Sequence, residues 1–129
     1  MKTNLPSVSN LYLLASALLI THEIDSGYWQ EWKLFGIPGG NQVFVFLNLI
    51  LVTVVLYGFT QVLVDSTRAS FFSLLLAAGG VLAFGIHIVF IALGNGEFTE
   101  PVSLVVLGSL LIVSLMLANV ELQRKKAAK

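Results

Sequence analysis

The chain has 129 residues, of which 57% are hydrophobic and only 11% charged. A soluble domain is usually about 25% charged, and a small one has too much surface for its volume to hide so many apolar groups from water; a mean hydropathy of +0.90 points to lipid as the solvent. Seven basic and seven acidic residues balance, no basic stripe precedes the C-terminal Arg124, Lys125, Lys126 and Lys129, and there is no cysteine; nucleic-acid binding, disulfides, thiolate metal ligands and cysteine nucleophiles are therefore excluded.

The first apolar segment runs from about Ser9 to Ile24, and a span over 9–26 is predicted. Lys2 and the apolar run behind it fit a secretory signal loosely, but the small triplet Ala15-Ser16-Ala17 lies inside that run, which predicts a retained span. The second segment, Val43 to Val64, is interrupted by Asn48 and predicts a span over 42–64. The third, Phe71 to Leu93, is interrupted by His87 and predicts 70–93; the fourth, Val102 to Val120, predicts 101–121. Each approaches the ~20 residues that cross the hydrocarbon as a helix. The second and fourth are rich in valine and isoleucine, but a lone strand in lipid would leave its backbone unpaired. The expected class is all-α, a four-helix transmembrane bundle forming one integral membrane domain over 1–129.

The connections carry their own signals. Ile37-Pro38-Gly39-Gly40 cannot continue a helix. Asp65-Ser66-Thr67-Arg68 is a tight polar turn, which makes the second and third helices antiparallel neighbours. Gly94-Asn95-Gly96 ends the third helix, and Thr99 can cap the fourth with Glu100 and Pro101 in its first turn. Lys2, Arg68 and the basic tail fall on one side of a four-span chain, whereas Asp25, Glu31, Lys33, Glu97 and Glu100 fall on the other. By the excess of positive charge on cytoplasmic loops, both termini are expected in the cytoplasm.

The stretch ITHEIDSGYWQEW, residues 20–32, packs a histidine, three carboxylates, a tyrosine and two tryptophans behind an apolar run. On a wheel over residues 22–35, Ile24, Tyr28, Trp32 and Phe35 share one arc with Trp29 at its edge, and Gln30, Ser26 and Lys33 lie opposite. An interfacial aromatic helix, or an extension of the first helix, is predicted between spans one and two. The plainer reading is an aromatic belt at headgroup depth. Asp25 stands one turn from His22, where a carboxylate can fix an imidazole's tautomer and raise its basicity. Glu23 points to another side.

His87 recurs with Gly79 and Ala83 every four residues, on a small-residue stripe that permits close helix contact. An ionisable side chain at that depth is costly and usually faces the bundle interior. Asn48, counted inward from Asn41, lies about 10 Å deep, as does His87 counted back from Gly94. His22 with Asp25, Asn48 and His87 thus share one expected layer in the outer leaflet.

Two histidines with carboxylates suit a divalent metal such as zinc, iron or manganese. His22, Asp25 and His87 are the expected metal ligands or catalytic groups, with Glu23, Asn48, Glu31 and Trp29 binding a ligand beside them. Without metal, His22 and Asp25 could act as an acid–base pair on a lipid-like small molecule. A haem held by both histidines is the remaining cofactor option. Against these stands a non-catalytic accessory or structural subunit whose stripes and belt serve packing in a homo-oligomer or with a membrane partner.

The run His22-Glu23-Ile24-Asp25, with Tyr28-Trp29, Glu31-Trp32, Phe35 and Pro38-Gly39-Gly40 behind it, resembles small bacterial multi-span proteins grouped as domains of unknown function. It is also loosely similar to the bacterial membrane family named for a His-x-x-Glu-Glu motif, with Asp25 and Ser26 where that motif has two glutamates. The resemblance covers the first two helices best. It implies a multi-pass protein of the bacterial inner membrane and supplies no chemistry.

Overall fold

A computed structural model describes residues 7–96 and 99–127; Lys2, Glu97 and Lys129 lie outside the described residues. The described chain is all-helical: α1 (Val8–Tyr28), α2 (Glu31–Leu34), α3 (Gly40–Leu63), α4 (Ala69–Ala92) and α5 (Pro101–Ala127). Three of these, α3, α4 and α5, are long and apolar enough to cross a membrane. The fourth long helix, α1, is diluted by Asn10, Thr21, His22, Glu23 and Asp25 and is not among them. Lipid suits the outward faces, which expose Phe46, Leu49, Phe71, Val102, Val105 and Ile112.

Each long helix buries one stripe at helical spacing. On α1 it runs Tyr12, Ala15, Leu19, His22, Ser26; on α4, Ser73, Ala77, Gly80 and His87; on α5, Leu107, Leu110, Ser114, Leu117, Glu121. α1 packs against α3, α4 and α5, and α4 packs against both α3 and α5. The short α3–α4 connection makes those two helices neighbours, as the polar turn predicts.

Two glycines mark close helix contacts. A Cβ added to Gly58 would run into the Tyr12 hydroxyl and come within 2.9 Å of Phe72, so glycine is what lets α1, α3 and α4 meet there. Tyr12 donates to the Val55 carbonyl at 3.0 Å and stacks on Phe59. On α4 the residue in close contact is Gly80, against Ser114 and Leu110 of α5. Along the stripe Gly79–Ala83–His87 the contact is partial: Ala83 packs on the core and His87 meets His22 of α1, whereas a Cβ on Gly79 would meet nothing within 4 Å, and all three line a cavity.

The region between α1 and α3 departs from the expected aromatic extension. α1 stops at Tyr28, and Gln30 takes a left-handed conformation (φ 55°, ψ 47°). The wheel over residues 22–35 therefore breaks after Tyr28, because the next helical element is one separate turn, α2. Two consecutive left-handed glycines, Gly39 and Gly40, then turn the chain into α3.

Candidate functional site

Three polar side chains from three helices converge at the α2 end. His22 and His87 sit roughly one and a half turns inside α1 and α4, on the core-facing stripes of both. Their rings meet edge to face, with centres 4.5 Å apart and planes at 82°. The Glu31 carboxylate approaches to 3.4 Å from His87 Nε2. One ligand atom from each of His22, Glu31 and His87 lies within 4.8 Å of the others. All three are buried, at 3%, 6% and 2% exposure.

The connector explains how Glu31 gets there. The left-handed Gln30 breaks the helix after α1, and α2 packs against α1 and α3. It is held by two aromatic pairs, Trp32 on Phe44 of α3 at 5.1 Å and Phe35 on Phe90 of α4 at 5.2 Å. With those rings seated, Glu31 at the start of the turn faces inward.

His87 is oriented by its own helix. Its Nδ1 lies 2.7 Å from the Ala83 carbonyl oxygen. A carbonyl only accepts, so Nδ1–H donates and Nε2 is the nitrogen turned toward Glu31. A backbone carbonyl holding one ring nitrogen so that the other faces a ligand is the usual arrangement of metal-binding histidines.

A cavity of about 340 Å³ opens beside the trio, walled by α1, α2, α3 and α4. Apart from His22, Glu23, Glu31, Asn48 and His87 its walls are apolar or aromatic, with Trp32, Phe44, Leu51 and Leu82 among them. Glu23 and Asn48 share a second wall, which also borders a hollow between α1 and α3. The Asn48 amide donates to the Phe44 carbonyl at 3.1 Å.

The structure separates the residues singled out from the sequence. His22, His87 and Glu31 come together, and Glu23 and Asn48 line the same cavity. Asp25, expected as the carboxylate partner of His22, instead borders a different hollow with Thr21, Tyr28, Val102 and Ser103. The reason is local: Asp25 lies on the side of α1 toward α5, and the carboxylate beside the imidazoles arrives on α2. Trp29 caps α1 and packs on Tyr28, 5.1 Å between ring centres; the tryptophan in the cavity wall is Trp32. Two imidazoles in edge contact at 4.5 Å also leave no room for a porphyrin between them.

A model of a family of unknown function (DUF6713) matches residues 8–124, and the chain belongs to that family. No curated protein and no solved structure matches the chain.

Proposed function

We propose that this member of a family of unknown function is a multi-pass membrane protein that binds a first-row divalent cation through His22, His87 and Glu31. α1 serves as a fourth span whose polar last turns reach the headgroup region, and the basic tail with Arg68 marks the cytoplasmic side of a bacterial inner membrane. The observation that carries the metal reading is the buried convergence of two imidazoles and one carboxylate within 4.8 Å. Two nitrogens and one oxygen suit zinc, iron(II) or manganese and leave coordination positions open. The Nε2–Oε1 separation of 3.4 Å fits two ligands on one ion: bonds of ~2.0–2.1 Å at a tetrahedral angle put them about 3.3 Å apart. His22, Glu31 and His87 all line the cavity, so an ion held by them would be placed to polarise an oxygen-bearing ligand there.

The test is metal content. The chain, purified in detergent and dialysed against zinc or manganese, is expected to retain about one ion as measured by elemental analysis. Glu31→Gln and His87→Ala are expected to lower affinity by at least about tenfold, whereas Asp25→Asn leaves it unchanged. Equal metal content in all four proteins ends the reading. A second reading rests on the His87–Glu31 approach itself: the pair clamps α2 onto α4 in an accessory subunit. Loss of thermal stability in Glu31→Gln, with no metal bound by any form of the protein, selects that one.

A further inference from the structure

The shape of the cavity says what the site is built to receive. α3 and α4 touch near their connecting turn, where Gly58 meets Phe72, and toward the other end the cavity separates them. The cleft is closed at its end by α2, whose rings sit on Phe44 and Phe90. Its flank is not closed by protein: Leu47 on α3 and Leu82 on α4 border the cavity and are 45% and 62% exposed. Both lie within helices long and apolar enough to cross a membrane. The entrance therefore faces acyl chains rather than water. On α4, Gly79 lines the cavity and a Cβ there would meet nothing within 4 Å.

We propose that the cleft between α3 and α4 admits a single-chain lipid from the bilayer, chain along Leu51 and Leu82, with its oxygen-bearing end group at His22, His87 and Glu31. This deepens the metal reading and rests on it for the polar end alone. Three features select such an occupant over others. The walls are apolar except at one end, which matches a molecule polar at one end only. A volume of about 340 Å³ is at the small end of the ~300–1,000 Å³ range of ligand pockets, which suits one chain and not a two-chain phospholipid. The lateral entrance leads to hydrocarbon, where a lipid is already concentrated and a water-soluble metabolite is not.

The experiment uses the full chain, loaded with zinc and reconstituted into phosphatidylcholine vesicles that contain a long-chain fatty acid with a photoactivatable diazirine at mid-chain. Crosslinked residues are mapped by mass spectrometry. Labelling is expected at Leu47, Leu51, Leu82 and Ile86, over and above the general labelling of outward residues such as Leu49. Gly79→Phe fills the cavity and is expected to cut the cavity labelling about tenfold, with metal content and Leu49 labelling unchanged. Gly79→Leu does the same with less bulk, and Gly85→Phe, on the same helix outside the cavity, leaves the pattern as it was. Cavity labelling equal in wild type, Gly79→Phe and Gly79→Leu overturns the proposal. So does labelling confined to the outward faces in a protein that holds its zinc. Gly79-sensitive labelling in a protein that binds no metal supports the lipid pocket and sinks the metal reading, so the two failures are distinct.

Discussion

Each end of the helix packet buries a glutamate, and the two are treated differently. Near the basic tail, Glu121 is 3% exposed and lies 3.5 Å from Arg124 one turn along the same helix. Arg124 in turn bonds Asp65 of the α3–α4 turn at 2.8 Å. A guanidinium keeps its protons and offers no lone pair, so Glu121 has a permanent cation beside it, and toward this end the helices close on Gly58. At the other end Glu31 has two imidazoles for company, and beside them the helices stand apart around a cavity. Imidazoles exchange a proton for a metal ion. A buried carboxylate is thus informative through its partner: beside arginine it meets a fixed charge, beside histidines it completes a set of donor atoms that could hold a metal ion.

The sharpest way to break this comparison is to neutralise each glutamate in turn. Glu31→Gln is expected to abolish most metal retention, and Glu121→Gln to leave it untouched, both read by elemental analysis; a matching loss in both would erase the distinction. Next in size is packing. Gly58→Val forces a side chain into Tyr12 and Phe72 and should cost about 1–3 kcal/mol, seen as a lower melting temperature in detergent. Gly79→Ala enters open space and should gain roughly 0.5–1 kcal/mol through reduced chain entropy. Opposite signs for two glycines in one packet would sharpen the contrast between its closed and open ends. Smaller still, Tyr12→Phe removes the bond to the Val55 carbonyl and should cost about 0.5–1.5 kcal/mol without changing metal content. Least of all, Asp65→Asn breaks a pair that is 45% and 74% exposed, worth about 0.2–1 kcal/mol and less in high salt, while Arg124 stays beside Glu121.

Much of the fold is legible in the sequence because lipid imposes few solutions. An apolar run must match the hydrocarbon in length, so α3 and α4 lie close to the predicted apolar segments, whereas α5 starts at Pro101 and carries on through the polar tail to Ala127. The meeting of His22 with His87 is legible too: a helix rises a fixed ~1.5 Å per residue, so depth can be counted from either end. Glu31 reads from sequence as no more than a supporting residue, because its position depends on a connector with no period. The reversal at Gln30 uses a left-handed residue that is neither glycine nor asparagine, and such a turn gives no signal. A wheel drawn through it joins Tyr28 of α1 to Trp32 and Phe35 beyond the break on a face that does not exist. The Gly79–Ala83–His87 stripe misleads for another reason: small residues permit close approach, but equally they leave a hole, and spacing alone does not tell which.

Of the three converging groups, two ride on long helices fixed by the packet, and only Glu31 rides on a four-residue turn. That turn is fastened by two ring pairs, each worth about 0.5–1.5 kcal/mol. On the metal reading proposed above, Glu31 is the ligand whose place depends on the connector, whereas both imidazoles are set by the long helices.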